Sequence, residues 1–368
     1  MKKLSENASN KNYEEPKETF GAILAQMKLS SLEILPTLLA IAAAFSAGAV
    51  LLLITGYSPI DAYGAMLIGA FGDKFGIGQT LTQATPIIFT GLAFLLASKS
   101  GLFNIGIEGQ LIVGGFAAAI VGIYFEGLPA FIHVPLALLS GALAGGLWGL
   151  IPAILKTKLN AHEVITTMML SYVASYLTSY LVNYPFKAPG WVAQTTTIAP
   201  SAELPRILWP TQLSVAIIIA FLLAIAIHYF LEKTKLGYEI RAVGFSPMVA
   251  ENNGIDVNRK MILALVISGA IAGMGGAGEI MGVHRRFIDG FSPGYGWDGI
   301  AVALVGRLNP IGTIFVAILF GALRSGSMTM TRSVGVPLDI ISMLQSLVII
   351  CTATPTVFEY FTKRRELK

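Results

Sequence analysis

The residues nearest to a known catalytic spacing are His162 and Glu163, which begin the zinc-protease pattern H-E-x-x-H. Position 166 is a threonine, so the second histidine ligand of such a site is missing. The other histidines lie in separate segments, at positions 133, 228 and 284. The single cysteine excludes a disulfide within the chain and a cysteine-based metal cluster. We therefore expect no catalytic centre, no metal site and no cofactor bound by this chain.

Nucleotide-binding patterns are equally weak. No G-x-x-x-x-G-K-[ST] stretch occurs, so the glycine-rich loop and lysine that hold ATP phosphates are missing. Residues 273–278 satisfy G-x-G-x-x-G, but they lie inside an apolar run with no strand before them. Close packing between helices is the better explanation for these glycines. Any ATP hydrolysis must therefore be carried out by another protein.

An ionisable residue and an amide mark the start of one apolar run. Asn104 and Glu108 are four residues apart and would share one helix face. Asn104 could cap the helix, with Glu108 placed favourably at its positive end. Alternatively, an ionisable residue inside a membrane span marks a transport path. Both explanations stay open.

Segment 283–298 mixes aromatic and charged side chains, a combination that suits a sugar or a nucleobase. An aromatic belt at the membrane surface, with a Gly/Pro turn, would have the same composition. The candidate residues of a substrate path are Asn104, Glu108, Phe291, Tyr295 and Trp297.

The composition indicates which kind of secondary structure must position these residues. The chain has 368 residues, 54% hydrophobic and only 12% charged, whereas soluble proteins carry about 25% charged residues. The apolar runs are continuous, so we expect an integral membrane protein built of α-helices. Windows of about 20 residues place spans near 34–56, 79–98, 103–124, 131–155, 163–184, 211–231 and 260–282, then short pieces at 298–306 and 310–324 and a last span at 337–354.

The short pair, split at 307–310, decides the number of crossings. Ten result if each piece crosses and eight if the pair is a re-entrant hairpin, so both termini share one side. Most of the 25 Lys and Arg residues lie in the tails and near 99, 156–158 and 232–260. The positive-inside rule therefore places both termini and segment 232–260 in the cytoplasm. On the other side, 57–78 could form a surface helix and 185–210 a stiff irregular cap.

Segment 232–260 is a charged island between two apolar spans. It cannot lie in lipid, because buried charges and unpaired backbone groups are costly there. It is also too long for a simple turn. We therefore expect it to contact another protein.

Residues 234–255 resemble the coupling segment of permease subunits of ABC importers. The pattern is Gly237, then Arg241-Ala242-Val-Gly244, then small residues, then Gly254-Ile255. The resemblance is closest to the branch that serves simple sugars, nucleosides and branched-chain amino acids. Three further stretches are similar to signatures of nucleoside and simple-sugar permeases, at 100–110, 161–170 and 294–306.

The resemblance implies an all-α polytopic membrane protein of about ten transmembrane helices, a type II-like importer permease with two pseudo-symmetric halves. The polar breaks near 104–110 and 298–310 would then occupy corresponding places. Residues 1–33 would be a cytoplasmic tail, in which 20–31 form a short interfacial helix or a frayed end. Residues 34–354 would be the permease domain and 355–368 a cytoplasmic tail. The resemblance implies ATPase-coupling roles for Gly237, Arg241, Ala242, Gly244, Ala250 and Gly254.

The same resemblance implies partners and a location in the bacterial cell membrane. These partners are ABC ATPase subunits that use ATP and Mg²⁺, an extracellular lipoprotein or periplasmic binding protein, and a second permease. A heterodimeric permease core is expected, with a homodimer left open, and no nucleic acid partner. The implied function is a path for nucleosides. Alternatives are a ribose- or galactose-type sugar or a branched-chain amino acid on the same machinery, or an ion-coupled secondary transporter working alone.

Overall fold

The computed structural model describes residues 42–353. The expected N-terminal tail with its possible interfacial helix at 20–31, the start of the expected span 34–56 and the expected C-terminal tail lie outside this range. Within it the chain is helical, and the only strand-like pairs are the isolated bridges Gln194–Ile288 and Arg206–Ser214. The helices are α1 Ala42–Ile54, α2 Pro59–Phe71, α3 Lys74–Ser98, α4 Ile107–Tyr124, α5 Ala130–Leu159, α6 Glu163–Asn183, α7 Ala216–Lys233, α8 Lys235–Phe245, α9 Pro247–Asn252, α10 Val257–Glu279, α11 Tyr295–Val305, α12 Pro310–Val334 and α13 Leu338–Ala353.

Six described helices are long and apolar enough to cross a membrane: α3, α4, α5, α7, α12, and α10 with its π-helical extension Ile280–His284. The chain is therefore a multi-pass helical membrane protein, as its composition indicates. The helix α6 has 21 residues but is rich in hydroxyl side chains, and α1, α2 and α11 are shorter. The predicted count of ten crossings stays a prediction.

One predicted boundary is wrong. The apolar piece expected at 310–324 is the first part of α12, which continues to Val334. Arg324, Arg332 and the hydroxyl side chains between them hide this continuation from a hydropathy window, but the hydroxyl groups bond to carbonyl groups of their own helix. Ser327 Oγ donates to Arg324 O at 2.6 Å, and Thr331 Oγ1 donates to Ser327 O at 3.1 Å. The predicted break before α12 is confirmed, because Arg307 and Leu308 adopt positive φ in the turn.

The core centres on α3, whose second half is buried on every side. Helices α10, α11 and α12 pack directly against it. Close approach of α5 and α10 depends on small residues, as expected from the sequence. A Cβ atom at Gly273 would overlap the carbonyl group of Gly141, and one at Gly269 would overlap that of Gly145. The G-x-G-x-x-G stretch is thus a packing surface.

The two segments predicted for one side of the protein each pack against a different helix. Segment 185–210 contains a 3₁₀ turn at Pro200–Ala202 and lies against the end of α10. The Thr195 N–H donates to Phe287 O at 2.9 Å, and the Ile198 N–H donates to Arg285 O at 2.9 Å. Within 57–78 the helix α2 forms as expected, capped by Ser58. It packs against α12.

Candidate functional site

Two helices begin in the protein interior and meet there. The helix α4 begins at Ile107 and α11 at Tyr295, and both residues are buried. The Gly296 N–H donates to Glu108 Oε2 at 2.6 Å. Position 296 must be glycine, because a Cβ atom there would lie 2.5 Å from the Glu108 backbone nitrogen. Glu108 thus connects the first turns of two helices.

The geometry of this junction indicates which charge a solute bound there would carry. Each helix N-terminus carries partial positive charge and unpaired N–H groups, and such ends bind anions well. Here the Glu108 carboxylate already supplies that negative charge at both helix ends. A solute that reaches this junction therefore needs no anionic group. The arrangement suits a neutral polar molecule better than an anion.

The other side of α11 carries a compensated charge cluster. Arg324 Nε donates to Asp298 Oδ2 at 2.7 Å, and its guanidinium carbon lies 5.0 Å from the centre of the Tyr295 ring. The Tyr295 hydroxyl donates to Gln83 Oε1 at 2.9 Å. The contact with the Tyr295 ring and the ion pair with Asp298 offset the free-energy cost of burying most of the Arg324 side chain.

Two cavities flank this start of α11. The first has a volume of about 260 Å³ and lies between α4, α6 and segment 287–292; its lining includes Glu108, Ser175, Ser179, Asp289 and Phe291. The second has a volume of about 430 Å³ and lies between α3, α11, α12 and α13; its lining includes Gln83, Tyr295, Asp298, Arg324 and Gln345. Both offer hydroxyl, amide and aromatic groups to a solute.

The sequence-derived path candidates fall in different places. Glu108 and Phe291 line the first cavity, and Tyr295 lines the second. Trp297 is 41% exposed and lines neither. The irregular segment that leads into the junction opposite residues 104–110 is 285–294. It lies earlier in the chain than 298–310, where the sequence predicted the corresponding polar break.

Asn104 has a supporting position. Its Nδ2 donates to Gln110 Oε1 at 3.0 Å and to Ser268 Oγ at 2.9 Å, and its Oδ1 accepts from the Gly106 N–H at 3.0 Å. The N-cap of α4 is Gly106, so Asn104 does not cap the helix from that position. Because Asn104 is fully buried, it joins the entry to α4 with α10 rather than facing a solute.

Sequence reasoning missed several polar residues that line the cavities: Gln83, Ser175, Ser179 and Arg324. Asp289 lies in segment 283–298, whose composition already suits a sugar or a nucleobase. A signal for part of this set exists in the sequence. Thr167, Ser171, Ser175 and Ser179 are four residues apart and therefore share one face of α6. No comparable pattern connects Gln83 with Arg324, which come from separate helices.

Segment 232–260 folds into two short helices with regular caps. Thr234 Oγ1 accepts from the Gly237 N–H at 3.1 Å and starts α8. Ser246 Oγ accepts from the Val249 N–H at 3.4 Å and starts α9, where Pro247 takes the first position. Gly254 adopts φ +79° in the following turn. The segment is thus a formed structural unit.

This unit presents an apolar surface around a cleft of about 1060 Å³. Phe245 is 97% exposed, Met248 72% and Val249 58%. Large exposed apolar side chains in a charged segment are typical of a protein contact site. We name Phe245, Met248 and Val249 the apolar knob.

The residues expected to couple to an ATPase divide into two groups. Arg241, Ala242, Ala250 and Gly254 line the cleft. Gly237 and Gly244 instead permit close packing, since a Cβ atom on either would overlap a carbonyl group, of Phe230 or Lys99 respectively. The apolar knob itself was missed, although apolar residues within a charged segment are a readable signal.

Comparison with known proteins agrees with this architecture. The family described as "Branched-chain amino acid transport system / permease component" matches residues 76–353. No solved structure gives a significant match.

Curated relatives cover most of the chain. It is 39% identical over 326 residues to a guanosine ABC transporter permease of Bacillus subtilis, covering 87% of this chain and 93% of the relative. It is 35% identical to a nucleoside ABC transporter permease of Lactococcus lactis, covering 89% and 92%. A glucose ABC transporter permease of Haloferax volcanii is 33% identical, covering 88% of each. The chain therefore belongs to the permease-component family of branched-chain amino acid transport systems, a family of ABC importer permeases.

Proposed function

We propose that this chain forms the membrane path for nucleosides in an ABC importer. The observation that carries the proposal is the 39% identity to a guanosine permease across 87% of this chain and 93% of that relative. The site supports it, because nucleosides are neutral and Glu108 already places a carboxylate in the first turn of α4 and accepts from the Gly296 N–H of α11. Hydroxyl and aromatic groups in the two cavities match the ribose and the base.

The energy for transport comes from a partner. We propose that the ATPase subunits bind ATP and Mg²⁺ and that this chain binds no cofactor. The apolar knob and the cleft beside it form the docking surface for an ATPase subunit. An ion pair anchors segment 232–260, which we call the docking unit, since Lys260 Nζ lies 2.6 Å from Glu239 Oε2.

A continuous set of contacts leads from the docking unit to the junction. Gly244 of α8 packs against the turn that contains Lys99 and Gly101. That turn continues into Asn104, whose side chain holds the entry to α4 against Ser268 of α10. Movement of α8 by the ATPase would therefore be transmitted to the first turn of α4. This route supports coupling of ATP hydrolysis to opening of the path.

The orientation and symmetry follow from the same proposal. Both termini and segment 232–260 face the cytoplasm of a bacterial cell, and about ten helices cross the membrane. The two pseudo-symmetric halves are supported by the equivalent starts of α4 and α11, each after an irregular segment that follows a long buried helix. Discontinuous helices that meet near the centre are typical of transport sites.

Three kinds of partner are proposed besides the lipid: ATPase subunits, a second permease, and a substrate-binding lipoprotein or periplasmic protein. Two guanosine permeases of Bacillus subtilis are among the relatives, at 39% and 29% identity. Two nucleoside permeases of Lactococcus lactis are also among them. These pairs support a heterodimeric permease core.

A simple sugar is the second candidate substrate, because the glucose permease of Haloferax volcanii is 33% identical. An ion-coupled transporter is not favoured by the family membership. The test measures uptake of labelled guanosine, glucose, ribose and leucine in a strain that lacks this chain. We expect only guanosine uptake to be lost and to return with the gene. Unchanged guanosine uptake with loss of another substrate would assign the path to that substrate.

A further inference from the structure

The helix α6 carries two parallel stripes of polar side chains. Tyr172, Tyr176 and Tyr180 of α6, and Tyr184 directly after its end, are spaced by four residues, and each is at least half exposed. Beside them runs a second stripe of small polar side chains, Ser171, Ser175, Ser179 and Asn183. Side chains spaced by four residues lie above one another on a helix. One face of α6 therefore offers aromatic rings and hydroxyl groups along most of its length.

A lipid contact does not explain the tyrosine stripe. From Tyr172 to Tyr184 the helix rises about 18 Å, at roughly 1.5 Å per residue. Tyrosines of an interfacial belt lie at headgroup level, whereas this stripe covers more than half of a hydrocarbon core of about 30 Å. Polar side chains at such depth face a water-filled cavity or other protein groups. Tyr176 of this stripe lines the first cavity.

The hydroxyl stripe ends at a carboxylate. Ser179 Oγ donates to Asp289 Oδ2 at 2.7 Å, and Asn183 Nδ2 lies 3.5 Å from the same oxygen. Both Ser179 and Asp289 line the first cavity, with Glu108 at the same cavity. Asp289 Oδ1 has no hydrogen bond to another residue within the described range 42–353. One carboxylate oxygen is therefore available to accept hydrogen bonds from a solute.

The backbone around Asp289 is held in place. Its N–H donates to Ala193 O at 3.0 Å, and the neighbouring Phe287 N–H donates to Thr195 Oγ1 at 3.0 Å. Phe287 and Phe291, on either side of Asp289 in the chain, pack edge to face with ring centres 5.2 Å apart. These contacts hold Asp289 in position before the solute binds, which lowers the entropic cost of binding.

We infer that the cavity between α4, α6 and segment 287–292 is the ribose subsite of the path. Asp289 accepts hydrogen bonds from the 2′- and 3′-hydroxyl groups, and Tyr176 at the cavity edge stacks on the base. Neighbouring hydroxyls of a ribose can reach one carboxylate together, and a hydrogen bond to a charged acceptor is stronger than one to a neutral group. This inference rests on the proposed nucleoside substrate and adds which groups recognise it.

The experiment uses the complete importer, with its binding protein, in cells. Uptake of labelled guanosine is compared with uptake of 2′,3′-dideoxyguanosine, or of 2′-deoxyguanosine where the wild type does not take up the dideoxy compound. The variants are Asp289→Ala and Ser179→Ala. The matched controls are Glu126→Ala, an exposed carboxylate outside the cavity, and Thr166→Ala, a hydroxyl of α6 that bonds only within its own helix.

We expect Asp289→Ala to lower guanosine uptake about tenfold, the effect of losing a hydrogen bond to a charged group. Uptake of the dideoxy compound should fall far less, because it lacks both hydroxyl groups that the carboxylate binds, and uptake of 2′-deoxyguanosine should fall by an intermediate factor, because it keeps the 3′-hydroxyl group. Ser179→Ala should have a smaller effect of the same kind, and the controls should match the wild type. Tyr176→Ala should lower uptake of both compounds, and Tyr176→Phe should preserve it.

Equal loss for both compounds in Asp289→Ala would show a structural role and overturn the inference. So would unchanged uptake of guanosine. Loss of the second permease from the purified complex in Tyr176→Ala would assign the tyrosine stripe to a subunit contact instead. If the wild-type importer takes up no guanosine at all, the proposed function fails, and this outcome is distinct from the others.

Discussion

Glu108 and Gly296 lie 188 positions apart, and the Gly296 N–H donates to Glu108 Oε2 at 2.6 Å. This bond joins the interior ends of α4 and α11. The carboxylate lies in the first turn of α4, where the helix dipole favours it, and completes the hydrogen bonding of α11. An anionic ligand is thereby made unnecessary at the junction.

Glu108→Ala should lower stability, because it leaves the Gly296 N–H buried without its acceptor. The expected cost is about 1–3 kcal/mol, read as a lower melting temperature of the purified protein in detergent. Glu108→Gln keeps an acceptor oxygen and should cost less. Equal melting temperatures for Glu108→Ala and the wild type would show that the bond does not hold the two helices together.

Asn104 and Ser268 should be energetically coupled, since Asn104 Nδ2 donates to Ser268 Oγ at 2.9 Å. Each single alanine variant should lower the melting temperature. The double variant should cost less than the sum, by about 0.5–3 kcal/mol for residues in one network. A double-mutant cycle of thermal unfolding measures this term. Strict additivity would contradict the connection between the entry to α4 and α10.

Phe245→Ser in the apolar knob should weaken binding of the ATPase subunit while leaving the permease folded. Phe245 is 97% exposed, so its loss removes no internal packing. Co-purification of the ATPase, with the melting temperature of the isolated permease as reference, measures both effects. Trp191→Ser is the matched control, because Trp191 is equally exposed but lies in segment 185–210. ATPase binding at the wild-type level in Phe245→Ser would remove the knob from the docking surface.

Gly244→Ala should disturb the docking unit from within, since the new Cβ atom would overlap the Lys99 carbonyl group. We expect faster proteolysis of segment 232–260 and a lower melting temperature. Gly64→Ala is the control, because a Cβ atom there meets no heavy atom within 4 Å. That variant should be neutral or slightly stabilising, by up to about 1 kcal/mol. Similar behaviour of the two variants would contradict the close packing of α8.

The sequence predicts the helices well where apolar runs are continuous, as in α5 and α10. It predicts α12 too short, because Arg324 and Arg332, together with hydroxyl residues such as Ser327 and Thr331, count as polar in a hydropathy window. Their hydroxyl groups bond to main-chain carbonyls of their own helix, so they cost little in an apolar environment. A hydropathy window therefore predicts a helix too short where polar residues lie near its end.

The candidate site is predictable in part for a similar reason. Glu108 stands out because an ionisable residue in an apolar run is rare. Its partner is the N–H group of Gly296, and a main-chain donor leaves no signature in the sequence. Asp289 and Ser179 come from distant segments that only the fold brings to one cavity. The pattern of 234–255 predicts the proposed docking unit, but Gly237 and Gly244 of this pattern are packing positions, whereas Gly254 lines the cleft.

The most direct test of the account is guanosine transport into proteoliposomes. The vesicles contain this chain with its partner permease and ATPase, and the binding protein is added outside. We predict guanosine accumulation that requires internal ATP and is lost with the Phe245→Ser variant. Accumulation driven by an ion gradient in vesicles that contain this chain alone would contradict the account.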